Sequence, residues 1–207
     1  MTLEELHQGI STCEKCGLSK ERNKTVPGDG DPHADIVFIG EGPGRNEDQQ
    51  GLPFVGAAGK LLSELMVGIG LERKDAFIAN VVKCRPPGNR DPLPEEVEAC
   101  WPYLEQQLKL IDPLLVVTLG RHSMNRFVPN KSISEAHGQA FRREIPNMGK
   151  LVFFPIYHPA AALYRPQLKD EIVADFSKVP KLLAKIKQDK EMRAEVDSQS
   201  TQPKLFT

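Results

Sequence analysis

The sequence predicts an α/β protein: a parallel sheet with helices on both faces. Three observations predict it. Short apolar, β-branched runs recur along the chain and end in Gly, Asn or His-Pro. Segments with the 3.6-residue apolar spacing of helices lie between them, and that alternation builds parallel sheets. The residues that carry chemistry gather where the runs end, and ligands of open α/β sheets sit outside the carboxyl ends of the strands.

The elements follow in order. Asp35–Gly40, "DIVFIG", reads as a buried strand. Ala58–Gly70 carries Leu61, Leu62, Leu65, Met66 and Ile69 at helical spacing, with Gly70 as its stop. Ala76–Cys84 is a second strand, followed by a loop dense in Pro and Gly. Pro94–Ile111 is a helix with Pro at its start and acids in its first turn. Pro113–Gly120 is a third strand, "RHSMNRFV" a short helix and "GQAFRREI" an edge strand or hairpin arm. Lys150–Pro159 is a fourth strand ending at His158. A long helix is expected from near Gln167, interrupted before Pro180. From about Lys187 the chain turns polar and reads as a frayed helix, then a disordered tail, which sets a domain over 1–190 and a tail over 191–207.

With 207 residues, 40% of them hydrophobic, the chain can build one domain with a proper core. A net charge of −1 excludes a uniformly basic nucleic-acid binder but not a local basic face. No apolar run has the length of a membrane span, and "MTLEELHQGIST" lacks a signal-peptide apolar core. A soluble, cytoplasmic protein is expected, nucleoid-associated in a prokaryote.

The four cysteines are Cys13, Cys16, Cys84 and Cys100. In a cytosolic chain disulfides are disfavoured, so metal ligation gains weight. Cys13 and Cys16 form a chelating pair. Zn²⁺ and a [4Fe–4S] cluster both accept four thiolates. Structural zinc usually takes two close pairs, and the wide Cys84–Cys100 spacing favours the cluster. Its expected role is structural, tying the N-terminal arm to the loop between Cys84 and Cys100.

The segment "GEGPGRNEDQQGLPFVGAAGKLL", Gly40–Leu62, is a glycine-rich turn after a strand. It lacks the Lys-Ser/Thr of a P-loop and the G-x-G-x-x-G of a dinucleotide fold, so a nucleoside triphosphate or dinucleotide is not its expected ligand. Together with C-x2-C, "NVVKCRPPGNRDP", "EEVEACWPYL", "LGRHS" and "HPAAALYRP", it resembles the family 4 uracil-DNA glycosylases, the iron–sulfur branch of the uracil-DNA glycosylase superfamily. The likeness covers roughly residues 10–185 in the family's order and spacing. His137 stands where relatives often carry Arg, and Ala161, Ala162 and Tyr164 stand where relatives often have bulkier apolar or basic residues. The histidine-containing insert of a covalently trapping cousin group is absent between Cys84 and Cys100.

The resemblance implies a three-layer α/β/α sandwich around a four-stranded parallel sheet. It also implies a monofunctional enzyme that flips uracil from DNA and hydrolyses its glycosidic bond. Phe54 would stack on the base. Asn80 would pair with N3–H and O4, a pattern that cytosine reverses. Backbone N–H groups near Gly40, Glu41 and Gly42 would meet the developing anion, with His158 donating to O2 from the other side. Glu41 would position water or stabilise the sugar cation, while Glu47 and Asp48 would order the loop or a water. Lys83, Arg85, Arg90, Arg121 and Arg165 are candidates for phosphate contacts, and Leu163 or Tyr164 for a wedge in the vacated stack. The expected partner is uracil-containing DNA, single- or double-stranded, bound by a monomer. A redox module and a non-catalytic damage sensor are the competing readings; the intact Glu41, Phe54, Asn80 and His158 set speaks against the latter.

The chain ends "QSTQPKLFT", and Gln202, Leu205 and Phe206 fit Q-x-x-L-F. This resembles the short peptides by which bacterial replication and repair proteins bind the sliding clamp.

Overall fold

The apolar runs are uniformly buried, so each must be covered on both faces. A computed structural model describes residues 1–146 and 148–200, with side chains described as far as residue 192. Gln202, Leu205 and Phe206 therefore lie outside the described residues. The chain order is α1 (Leu3–Ser11), β1 (Asp29–Gly30), β2 (Ile36–Gly40), α2 (Arg45–Gln50), α3 (Ala57–Gly68), β3 (Phe77–Asn80), α4 (Pro94–Ile111), β4 (Leu115–Leu119), α5 (Arg121–Phe127), α6 (Ile133–Ala136), β5 (Phe141–Ile145), β6 (Gly149–Ile156), α7 (Pro159–Tyr164) and α8 (Leu168–Ser200).

The sheet has six strands in the order β1-β3-β2-β4-β6-β5. The inner four, β3-β2-β4-β6, are parallel, as expected. The two edges are antiparallel additions: β5 pairs with β6 as the foreseen hairpin arm, and β1 pairs with β3. Alternation along each strand divides the core. Val37 and Ile39 of β2 join Val116 and Phe153 under Leu104 and Leu108 of α4 and Met124 and Phe127 of α5. Ile36 and Phe38 face the other way, with Val117 and Phe154, against Leu62 and Met66 of α3 and Ile172 and Phe176 of α8. These two cores make the three layers.

The chain leaves β2 toward β3 on one side and returns to β4 on the other. The switch point thus lies between the carboxyl ends of β2 and β4, and it opens a crevice beside Gly40 and Gly120. Gly70 adopts φ 77 just after α3, as a helix stop should. Helix α4 starts with Pro94, and its Glu96 carboxylate accepts from Leu93 N–H at 2.8 Å. One expectation is corrected. Helix α8 runs through Pro180 to Ser200 without interruption. Ile172, Phe176 and Val179 before that proline and Ile186 after it anchor the helix in the apolar core, and this contact offsets the missing backbone hydrogen bond. Among the described residues, no helix is long and apolar enough to cross a membrane.

Candidate active site and cysteine site

The β2–α3 connection is the first wall of the site. Gly40 is required there by close approach: a Cβ would overlap Asn80 Oδ1 and come within 2.6 Å of the Phe54 ring. The chain then turns into α2, whose Glu47 carboxylate accepts from the N–H groups of Gly44 (3.1 Å), Val55 (2.9 Å) and Gly56 (2.8 Å). Asp48 is buried and accepts from Asn23 N–H at 2.9 Å. Both acids hold the loop in shape.

Phe54 sits at the end of this turn with φ 52, a left-handed conformation that an aromatic residue rarely adopts. Several contacts enforce it. Arg73 donates to the carbonyls of Pro53 (2.8 Å) and Phe54 (3.2 Å), and Gly59 leaves room for the Phe54 carbonyl where any Cβ would overlap it. The ring is buried and lies 5.7 Å from the His158 ring at an interplanar angle of 28°.

Asn80 closes β3, opposite Gly40, and is 2% exposed. Its amide lines the cleft and makes no hydrogen bond to another described residue. His158 caps α7, and its Nδ1 accepts from Ala160 N–H at 3.1 Å. An acceptor nitrogen carries no proton, so the ring's proton is on Nε2. Burial lowers the His158 pKa to about 4, only partly opposed by Glu47. At neutral pH the ring is an uncharged Nε2–H donor.

Glu41, Gly42, Phe54, Asn80 and His158 line one cleft of about 320 Å³, a size that suits a small ring. Gly40 is not in the lining and instead packs behind it, against the Phe54 ring and the Asn80 amide. Burial raises the Glu41 pKa, opposed by His122, whose Nε2 lies 3.8 Å from the carboxylate. Asp91 approaches the same imidazole at 3.1 Å. His122 and Asp91 were missed by sequence reasoning, because nothing in "LGRHS" or the Pro-rich loop places them beside Glu41. Asn89, with φ 57, and Pro86 also wall the cleft and gave no local signal.

The proposed basic rim divides. Arg121 is exposed and pairs with Asp91 at 2.9 Å. Arg85 donates to Asn89 Oδ1 at 2.7 Å. Arg90 is held in a two-pronged pair with Glu96, at 2.9 and 2.7 Å, so its charge is already matched. Leu163, Tyr164 and Arg165 project at the exposed end of α7, with Tyr164 86% exposed. Lys83 is corrected: it does not reach a phosphate. It is 1% exposed, and its ammonium donates to Asn80 O at 2.8 Å and Gln107 Oε1 at 2.6 Å. It faces inward because α4 supplies the acceptor it needs there.

The four cysteines, all free, converge on one cavity with Leu18, Arg22 and Tyr103. Arg22 Nη1 bonds Cys13 O at 2.6 Å and Cys84 Sγ at 3.3 Å, and Lys83 N–H donates to Cys100 Sγ at 3.3 Å. Burial pushes the Cys100 thiol up to about 11. A bound metal would displace such protons outright. Among the described residues, no three of these sulfurs lie within 4.8 Å of one another. Four thiolates on one tetrahedral zinc, at Zn–S of about 2.3 Å, would stand about 3.8 Å apart. Four cysteine side chains on one cavity are a donor set that suits either a zinc ion or an iron–sulfur cluster.

Fold and cleft together define an open-sheet α/β protein with a ring-sized cleft at the carboxyl ends of its strands. Residues 27–179 match the profile described as the Uracil DNA glycosylase superfamily. The chain is 49% identical to the type-4 uracil-DNA glycosylase of Archaeoglobus fulgidus, over 89% of this chain and 94% of that protein. It is 47% identical to the type-4 enzyme of Sulfurisphaera tokodaii, over 87% of this chain and 84% of the relative. The Thermotoga maritima type-4 enzyme shares 38%, over 88% and 95%. The chain belongs to the uracil-DNA glycosylase superfamily.

Proposed function

We propose that the protein removes uracil from DNA by hydrolysing its N-glycosidic bond and leaves an abasic site. The observation that carries this reading is the meeting of Phe54, the unpartnered Asn80 amide and the Nε2–H of His158 in one cleft. The flipped base stacks on Phe54. Asn80 accepts from N3–H and donates to O4. As the N1–C1′ bond breaks, its electron pair moves onto uracil and spreads to O2. His158 Nε2–H and the backbone N–H groups near Glu41 and Gly42 stabilise that charge. Glu41 faces the sugar, where it orients the attacking water or stabilises the cationic carbon. Water oxygen joins C1′ and uracil leaves with the proton. No lysine lines the cleft among the described residues, so a Schiff base has no donor there. Incubation with an oligonucleotide carrying a single uracil yields free uracil and an abasic site without strand cleavage. Borohydride trapping of a protein–DNA adduct would overturn the monofunctional step.

Two variants test the assignments. Asn80→Asp replaces the donor to O4 by an acceptor, so kcat/KM for uracil falls by about 10²-fold while processing of cytosine rises relative to the parent. An undiminished uracil rate would remove Asn80 from the reading. For Glu41, a raised pKa means that the carboxylate takes up its proton earlier as pH falls. The acid limb of kcat/KM therefore lies above the ordinary carboxylate value of 4.5. Glu41→Gln abolishes that limb and lowers kcat more than it raises KM.

The cysteine cage would hold a [4Fe–4S] cluster through Cys13, Cys16, Cys84 and Cys100. Bound there, it supplies a covalent tie between the N-terminal arm, the loop after β3 and helix α4. The rim formed by Arg85, Arg121, Arg165, Leu163 and Tyr164 would meet the phosphates and the vacated stack. For the tail, Leu205 and Phe206 close a polar segment, as a clamp-binding peptide does. Titration of a purified sliding clamp separates the full chain, which binds, from one ending at Ser200, which does not. Equal binding by both would remove this partner, and glycosylase activity on a free oligonucleotide is unchanged by the truncation.

A further inference from the structure

We infer that Lys83 is a positioning residue for uracil recognition: a buried relay through Lys83 holds Asn80 in its reading position and joins it to the cysteine cage. The inference rests on the reading of Asn80 given above. Lys83 is among the largest fully buried side chains, an unusual place for an ammonium, which is rarely buried without partners. Its side chain folds back to donate to the carbonyl of Asn80, three residues earlier, at 2.8 Å. The same ammonium donates to Gln107 Oε1 at 2.6 Å. The Gln107 amide nitrogen in turn donates to Pro27 O at 2.7 Å and lies 3.1 Å from His7 Nε2. Helix α1, the strand β1 approach and helix α4 are thus all fastened to one point behind Asn80.

The backbone of Lys83 points to the cage. Its N–H donates to Cys100 Sγ at 3.3 Å, its carbonyl accepts from Val26 N–H at 2.7 Å, and the next residue is Cys84. The two residues between Asn80 and Lys83 are tied to the other wall of the cleft, through Val81 N–H to Gly40 O at 3.0 Å and Val82 N–H to Glu41 O at 3.1 Å. The peptide from Asn80 to Cys84 therefore has no free segment. A displacement at Cys84 or Cys100 passes to the Asn80 peptide through one ammonium and three fixed residues. An arginine or an exposed lysine at this position could not serve, because the space is closed and both acceptors face inward.

The test uses the full chain and a duplex with a non-cleavable 2′-fluorinated deoxyuridine, beside the same duplex with an abasic-site analogue. Lys83→Met keeps the length and removes the donor. It weakens binding of the uracil analogue about tenfold, the cost of one charge-assisted hydrogen bond, and leaves abasic-duplex binding unchanged. In an Asn80→Ala background, Lys83→Met adds no further loss, because the residue it positions is gone. Additive losses, or equal losses on both duplexes, overturn the inference and leave Lys83 a general stabiliser. Retained uracil binding accompanied by lost iron overturns it as well. If Lys83→Met does not fold, Gln107→Leu reads the same relay from its far end, with a smaller loss that also vanishes in the Asn80→Ala background; additivity there overturns the inference equally. Asn80→Ala alone separates the two readings. Full uracil binding by that variant sinks the role of Asn80 itself, whereas a loss in Asn80→Ala without one in Lys83→Met sinks only the relay.

Discussion

His158→Ala lowers kcat for uracil release by about 10²–10³-fold and changes KM little, the cost of removing one preorganised donor to a developing oxyanion. The direction follows from the hydrogen bond on the far side of the ring. Nδ1 accepts from Ala160 N–H, so the only proton of the neutral imidazole is on Nε2, in the cleft. The negative charge on O2 develops only as the bond breaks, so the effect belongs to the transition state. His158→Gln, which can present an N–H, recovers part of the loss. The pH dependence separates this role from general acid catalysis by an imidazolium. With a pKa of about 4, His158 is neutral throughout the range from pH 6 to 8 and contributes no titration there. The sign for stability is opposite in sense to a salt-bridged histidine. The lowered folded-state value means that the unfolded chain binds the proton more readily. The contribution is complete above the usual 6.5 and is lost as pH falls from there toward about 4. Steady-state kinetics across pH check both points. An alkaline decline in kcat with a midpoint near 6.5 that disappears in His158→Ala would show that the charged ring is the active form.

Cys100→Ala removes the visible absorbance and about four irons per chain, and lowers the melting temperature by about 10–20 °C. Cys100 is on α4, Cys84 follows β3, and Cys13 and Cys16 are on the N-terminal arm. A metal group bound by all four closes the long excursion between the arm and α4, and structural metal sites are folding free energy for the segments they join. A loss on the order of 5 kcal/mol is a large part of a domain's stability. Thermal melts with iron analysis on protein kept from air check it. One zinc per chain without iron would overturn the cluster, and an unchanged melting temperature would overturn its structural role. Among the described residues the cleft and the cysteine cavity share no lining residue, and Cys13 is not bonded to Lys83, so the iron-loaded fraction of a milder variant such as Cys13→Ser retains its kcat.

The sequence by itself determined the inner sheet and its order of elements. Buried strands and amphipathic helices write their periods locally: helix Pro94–Ile111 begins and ends where its proline and apolar spacing say. Alternation of strand and helix forces parallel pairing, and parallel pairing brings every strand's carboxyl end to one edge. Gly40, Asn80 and His158 could therefore be placed together without coordinates. The cysteines were legible for the same kind of reason, since their number and the C-x2-C pair limit what they can do. The tertiary structure alone decided the rest. Strand β1 is two residues long, too short to carry a period. Helix α8 continues through Pro180 because contacts with the sheet outweigh a local rule. Arg90 is spent on Glu96, His122 and Asp91 arrive beside Glu41, and the tautomer of His158 is set by a cap. Lys83 shows the reason most plainly. In sequence it is a cation near the end of an expected strand, equally suited to solvent or to a phosphate. It turns inward because Gln107, on a distant helix, and the Asn80 carbonyl offer it two acceptors in a closed space. Which way a polar side chain turns depends on partners far along the chain, and no local pattern records them.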